Sequence, residues 1–448
     1  MPEPFKTLAA MRRDAEQVFR AGLVAVDPAA AVRRHCRRER ESLIIDGQCY
    51  PLSRYRRIVL LGAGKAGATM AQAMEDLLGD RLDQGLVVVK YGHLAPVRKV
   101  TLLEAGHPIP DQNGLMAART MLDLAQQADE HALVIYLVSG GGSALMPLPV
   151  AGVSLEDKQH TTRELLACGA TIHEINALRK HLSAIKGGQL ARAVFPATLV
   201  SLVLSDVVGD DLDTIASGPC VPDTRTYADC LEILDKYQLF DRLPQSVLAH
   251  LRKGVAGEVP ETPKPGDKVF ERTANLVIGN NYAALDRARQ TAAALGYNVL
   301  ILSSCMEGET AVVAGTHMAI AREILKTNNP LPCPACLLSG GETTVTIRGK
   351  GLGGRNQEFA LAAAEQMPAE GQIVLLSAGT DGTDGPTDAA GAFADTATRA
   401  RAEGLGLDLR ASLAENDSYH FFEQIGDLFK TGPTNTNVMD LRLVLVRQ

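Results

Sequence analysis

Three glycine-rich stretches carry the residues best suited to chemistry. The first is Gly62-Ala63-Gly64-Lys65-Ala66-Gly67. Glycines permit a tight turn and a close backbone approach, and a helix starting there offers free N–H groups to anions. Lys65 adds a full positive charge inside the turn. The second stretch is Ser139-Gly140-Gly141-Gly142-Ser143. Three consecutive glycines cost backbone entropy. Placed directly after an apolar run, they read as a cradle whose N–H groups meet phosphate or carboxylate oxygens. The third stretch runs from Gly340-Gly341-Glu342-Thr343 through Gly349 to Gly353-Gly354-Arg355-Asn356-Gln357-Glu358. A guanidinium at such a loop–helix junction grips a carboxylate or phosphate through two hydrogen bonds.

Acidic candidates stand in two places. Asp206 follows the apolar run Ala197–Leu204, at the end of a strand where a magnesium ligand or a general base belongs. Asp381 and Asp384 lie in Gly379-Thr380-Asp381-Gly382-Thr383-Asp384-Gly385-Pro386 and are candidates for a metal or a ligand hydroxyl. That run imitates an EF-hand loop, but no glutamate falls at the required spacing. Asp210, Asp211 and Asp213 are expected to cap a helix. Lys180 and Lys186 flank a basic segment and are candidates for neutralising an anion, against the plain reading of a solvated helix end. His107, between glycine and proline in Gly106–Asp111, could line a site.

Two chemistries compete for these residues. Gly62-x-Gly64-x-x-Gly67 matches the dinucleotide fingerprint, which requires an acidic residue at the end of the next strand for the ribose hydroxyl. That strand, Gly85–Tyr91, ends with Lys90 instead. A Walker A loop is absent as well. Phosphoryl transfer needs positioning, positive charge and Mg²⁺, with little covalent chemistry from the protein. Glycine cradles, cations and a few carboxylates match that need better than hydride transfer. A non-catalytic binder of small acidic metabolites is a third class.

The elements that position these residues alternate strand and helix. Arg57–Leu61 reads as a buried strand, and Ala66, Met70, Ala73, Met74, Leu77 and Leu78 recur at helical spacing after the turn. Val100–Glu104, Leu115–Ala128 and Ala132–Val138 read as strand, helix and strand. The segment 154–194 is helical and then basic. Such alternation implies a parallel sheet whose ligands sit at the carboxyl ends of its strands. Residues 5–26, with Phe5, Met11, Val18 and Phe19, predict one amphipathic helix. After it, Arg33, Arg34, Arg37, Arg38 and Arg40 read as the solvated face of another. Pro260, Pro263 and Pro265 mark residues 256–270 as a linker. A second α/β unit follows, with strands at Asn275–Gly279, Val299–Leu302, Val345–Arg348 and Ile373–Ser377. A polar loop, Thr431–Val438, precedes a last strand. The expected domains are therefore 1–255 and 271–448.

The chain has 448 residues, a formal net charge of −7 and an ordinary apolar share. The charge argues against a nucleic-acid partner, which wants a basic face. No apolar run approaches a membrane span, and no signal-peptide core opens the chain. Eight scattered cysteines fit a reducing compartment, so a cytoplasmic location is expected. Cys333-Pro-Ala-Cys336 reads as two ordinary thiols, since no second pair or histidine cluster accompanies it.

In order along the chain, Gly62-Ala-Gly-Lys65-Ala, Ser139-Gly-Gly-Gly-Ser-Ala-Leu145, Lys180-x-Leu-Ser183, Leu204-Ser-Asp206-Val-Val-Gly-Asp210, Ser217-Gly-Pro219, Gly340-Gly-Glu-Thr343, Gly353-Gly-Arg355-Asn-Gln-Glu358 and Gly379-Thr-Asp-Gly-x-Asp-Gly-Pro386 resemble the glycerate 2-kinase family. The resemblance covers nearly the whole chain. It implies an α/β fold of two domains: an N-terminal Rossmann-like three-layer α/β/α domain with a mostly parallel sheet, and a C-terminal MOFRL α/β domain. The active site is then expected in the cleft between them. The implied reaction moves the γ-phosphate of ATP to the C2 hydroxyl of D-glycerate, with Mg²⁺. By resemblance Lys65 and Arg355 hold the transferring group and Asp206 is base or metal ligand; from its place in the Gly379–Pro386 run, Asp384 is expected as a further metal ligand. Gly62, Gly64, Ser139, Gly140, Gly141, Gly142, Ser143, Lys180, Glu342 and Asp381 are expected to bind nucleotide or substrate. Some family members are labelled hydroxypyruvate reductase, so an NAD(P)H-dependent reductase is the alternative. A monomer or homodimer is expected.

Overall fold

A computed structural model describes residues 7–448. The chain divides into two compact units. One comprises Pro28–Ser205 and Asp210–Ile278. The other comprises residues 7–27, Asp206–Gly209, and Gly279–Gln448.

The first unit is built on a six-stranded sheet. In spatial order its strands are Val100–Ala105, Gln84–Lys90, Arg57–Ala63, Ala132–Val138, Thr198–Leu204 and Thr273–Gly279. The four pairings among the first five strands are all parallel. Numbered along the chain, the order is 3-2-1-4-5-6, that of doubly wound dinucleotide folds. Arg57–Ala63 and Ala132–Val138 are neighbours in register, Ala63 opposite Val138. The order reverses between these two strands, and both glycine loops leave from their carboxyl ends. That is the crevice where such sheets bind ligands. The strands read as continuous apolar runs because both faces are covered: every residue of Ala132–Val138 is buried. Capping boxes at Ser154/Asp157 and Thr171/Glu174 start the helices Leu155–Ala167 and Ile172–His181.

The second unit holds a mixed six-stranded sheet, in the order Asn298–Met306, Ala335–Gly341, Asp440–Arg447, Gln372–Gly379, Gly391–Asp395 and Leu428–Phe429. The first pair is parallel and the rest antiparallel. The amino end of Asp440–Arg447 sits beside the carboxyl ends of two neighbours, Gly341 and Gly379.

Several expectations need correction. The helix expected over 5–26 is described at Leu8–Ala25, and Phe5 lies outside the described residues. It belongs to the second unit, not to a domain 1–255. Its buried face packs on the helix Asn281–Ala294 and the strand Gln372–Gly379, and Arg12 reaches Asp395 and Asp427. Residues 256–270 are not a free linker. Asp223 accepts from Thr262 Oγ1, donates its own N–H to the Pro263 carbonyl, and thereby ties the proline-rich segment to the first unit. The strand after it closes the first sheet rather than opening a second. The arginine run continues from helix into Cys36–Glu39, one strand of a small antiparallel sheet that the apolar pattern did not reveal. Val345–Arg348 is not a strand; its N–H groups bond to the side chains of Glu309 and Asn416 instead of a ladder. Among the described residues, no helix is long and apolar enough to cross a membrane.

Candidate functional site

In the first unit the two glycine loops are sewn together. Gly64 has φ +140°, and a Cβ there would sit 2.1 Å from Ser139 Oγ. Only glycine allows this approach. Ala66 N–H donates to Ser139 Oγ at 3.0 Å, and Lys65 N–H donates to the Gly140 carbonyl at 2.9 Å. Ser139 N–H in turn donates to the Ala63 carbonyl. The backbone of Lys65 is thus fixed at the switch point of the sheet. Gly62 lies within its strand, opposite Val87 and Leu137. Gly141 adopts φ +86° against the ring of His107, and Gly142 opens a four-residue helix. Burial, then the charges of Lys65 and Lys90, hold the His107 imidazole down at about 4, so it is neutral near pH 7.

Beyond Gly141 and Ser143 lies a cavity of about 540 Å³ lined by His107, Lys158, Arg163, Arg179 and Lys186, with Ile109, Leu155 and Leu166 on its apolar side. Lys186 Nζ donates to Ser143 Oγ at 2.8 Å and to the Ser143 carbonyl. Ser143 Oγ also meets Ser217 Oγ at 3.0 Å. Lys180, the expected binding cation, does not line this cavity. It is buried and ion-paired with Asp213 and Asp223, a structural charge pair inside the unit. The correction is one of helix phase: Arg179, one residue earlier, faces the cavity. Lys158 and Arg179 were missed because their segments read as an ordinary amphipathic helix and a helix end. Nor does Asp213 cap a helix, since its carboxylate holds Lys180; Asp211 closes the local turn instead.

In the second unit, Arg355 is the first residue of Arg355–Gln366. Its Nε and Nη2 donate to the two oxygens of Asp440 at 2.7 and 3.0 Å, and Nη1 to Glu342 at 2.5 Å. Burial opposes the charge on Arg355, but Asp440 and Glu342 outweigh it and raise the guanidinium above its usual range. Asp440 also accepts from Asn356 Nδ2 at 2.8 Å and from the buried Arg442 at 2.7 Å. Asp440 and Arg442, both fully buried, escaped sequence reasoning because they sit inside an otherwise apolar strand. Their signal is that strand's single charged start, Asp440-Leu-Arg442.

Asp384, expected as a metal ligand, is occupied otherwise. It is 3 % exposed, and its two oxygens accept the N–H groups of Asn356 at 3.0 Å and Gln357 at 2.8 Å. It caps the Arg355 helix from outside the chain segment that forms it. Burial raises it to about 6, against those two N–H bonds. Gly354 has to be glycine because a Cβ there would sit 2.4 Å from Asp384 Cγ. The close approach expected toward a ligand is here made toward the protein's own carboxylate. Asp381 closes its own turn, accepting from Thr383 N–H and Oγ1 at 3.0 Å each. A Cβ on Gly379 would lie 3.5 Å from Asp381 Oδ1 and 3.7 Å from Asp440 Oδ1, which places both carboxylates around one backbone position. Asp206 receives Asn437 Nδ2 at 3.4 Å from the polar loop before the last strand.

The structure therefore brings Lys65, Ser139, Gly140, Gly141 and Ser143 together in one unit, and Glu342, Arg355, Asp381 and Asp384 together in the other. Among the described residues, no group of three or more His, Cys, Asp or Glu could hold a metal. The donor set suits a cation carried mainly by ligand phosphates, for which one or two carboxylates suffice. All eight cysteines are free thiols, and burial raises both Cys333 and Cys336, as expected of inert groups.

Residues 14–252 match the family described as domain of unknown function DUF4147, and residues 335–440 match the MOFRL family. A Thermotoga maritima protein named D-glycerate 2-kinase is 41% identical over 446 residues, covering 99% of both chains. An Agrobacterium vitis protein named putative hydroxypyruvate reductase is 40% identical, covering 97% of this chain and 94% of its own. The crystal structure of glycerate kinase from Thermotoga maritima superposes with a TM-score of 0.87 at 40% identity, covering 98% of this chain and 100% of that one.

Proposed function

The chain belongs to the glycerate 2-kinase family, and we propose that it transfers the γ-phosphoryl group of ATP to the C2 hydroxyl of D-glycerate, giving 2-phosphoglycerate and ADP. One observation carries the choice over a nicotinamide reductase. In a sheet of dinucleotide order, the strand beside the Gly62–Gly67 turn ends in Lys90, where ribose recognition needs a carboxylate. The turn itself carries Lys65, held by its backbone against Gly140. Both features favour a polyphosphate over a dinucleotide.

In this reading Lys65 and Arg355 neutralise charge on the transferring phosphoryl group, and Gly140–Ser143 offers backbone donors to the nucleotide phosphates. Asp440 keeps the Arg355 guanidinium oriented from its buried side. Glu342, the exposed partner, is the one a phosphoryl oxygen replaces. Asp206 takes the proton of the attacking C2 hydroxyl, and Asp381 orients the acceptor. Mg²⁺ would be carried by the nucleotide phosphates and would supply further charge neutralisation there; Asp384, committed to the Asn356 and Gln357 N–H groups, has no part in it. We place the enzyme in the cytoplasm, in keeping with its unpaired thiols, as a monomer or homodimer.

The test is ADP release by purified protein with ATP, Mg²⁺ and D-glycerate, alongside hydroxypyruvate offered with NADH or NADPH. ADP release that requires D-glycerate is expected. Oxidation of the nicotinamide without ADP release would overturn the reading.

A further inference from the structure

The cavity beside Ser143 has an unusual charge balance. Lys158 is 7 % exposed and Lys186 2 %. Among the described residues, Lys158 Nζ donates only to a neutral oxygen, the Pro147 carbonyl at 3.2 Å, and Lys186 only to Ser143. Arg179 and Arg163 complete the ring, with His107 at the rim. Among the described residues no Asp or Glu lines this space. Of the acids on the surrounding elements, Asp157 engages Ser154 and Ser246, Glu164 engages Arg242, Glu174 engages Lys236, and Asp213 and Asp223 engage Lys180. Buried cations without a counter-ion are costly, and a protein retains them where a ligand brings the missing charge.

We propose, resting on the kinase reading, that this cavity receives the nucleotide, with Lys158, Arg179 and Lys186 holding its phosphate groups and Ile109, Leu155 and Leu166 covering its base. About 540 Å³ far exceeds what a lone oxyanion or a three-carbon acid fills, and it lies within the usual range for drug-sized ligands. The apolar wall beside the cations asks for a ligand with a flat uncharged part. Ser143 ties the cavity to the glycine loop that carries Lys65, through Lys186 on one side and the Gly141 turn on the other. Burial, helped by the charge of Arg179, lowers Lys158 to about 7, and burial, with the charges of Lys158 and Arg179, holds Lys186 well below its ordinary value. Phosphate oxygens would return protons to both amines, so binding takes up protons.

The experiment is calorimetric titration with ADP near pH 8 in two buffers of different ionisation enthalpy. It compares wild type with Lys158→Met, Lys186→Met and Leu166→Trp, the last at the exposed mouth. Proton uptake is expected in wild type and less in Lys158→Met. Each lysine variant should bind ADP at least about tenfold more weakly, the scale of one lost charge-assisted contact. Leu166→Trp, which leaves the buried cations untouched, should weaken ADP but not inorganic pyrophosphate. Unchanged ADP affinity in both Leu166→Trp and a folded lysine variant would overturn the assignment. So would a rise in the KM for D-glycerate with ADP binding intact, which would make this the acceptor pocket. ADP binding needs no turnover, so a protein that takes ADP here yet never phosphorylates glycerate would defeat the kinase reading and leave the cavity assigned.

Discussion

The two carboxylates on Arg355 are not equivalent. Asp440 is fully buried and shared with Arg442 and Asn356, whereas Glu342 is exposed. Removing Asp440 leaves a buried guanidinium uncompensated, so Asp440→Ala should cost about 3–5 kcal/mol of stability. Glu342→Gln should stay within about 0.5 kcal/mol, as surface changes do; chemical denaturation separates the two. Arg355→Ala and Lys65→Ala should each lower kcat by about a hundredfold or more, the worth of one transition-state donor. Wild-type turnover in either would remove that residue from the chemistry. His107 sets a pH dependence. Its folded-state value of about 4 lies below its ordinary value, so the stability tied to its neutral form is complete above about pH 6.5 and is lost as pH falls toward 4. His107→Gln should therefore lose less Tm than wild type between about pH 7 and 5. An equal loss would show that other groups set the slope.

At the scale of elements, the strand–turn–helix around Lys65 was legible because glycine spacing, an apolar strand and helical periodicity all point to one arrangement. Gly64→Ala tests it: the clash with Ser139 and the positive φ should lower Tm and abolish activity together. Retained activity in a folded Gly64→Ala protein would show that the two loops need not touch. Other parts were hidden for physical reasons. The glycines before Arg355 signal close approach, but sequence does not say to what; Gly354 meets Asp384, thirty residues on, instead of a ligand. Lys180 and Arg179 differ by about 100° around a helix, and only packing decides which enters the cavity. Lys158 reaches the same cavity from another helix, and no local pattern announces such a convergence.

Over the whole molecule, strand–helix alternation foretold a parallel sheet and a second α/β unit, and both are present. The partition of the chain was not legible. The N-terminal helix joins the second unit through Arg12, whose carboxylate partners stand about 380 and 415 residues away. The proline-rich stretch looks like a linker, yet Thr262 and Pro263 bond into the first unit. Relatives of similar identity carry both kinase and reductase names, and Lys90 at the ribose position separates the two reactions in favour of the kinase. The most direct measurement is phosphorus NMR of the product formed from ATP, Mg²⁺ and D-glycerate. A single phosphomonoester at C2, formed about a hundredfold more slowly by Arg355→Ala, is the predicted result. A product phosphorylated at C3, or no phosphorylated acid while NADPH is oxidised with hydroxypyruvate, would contradict the account.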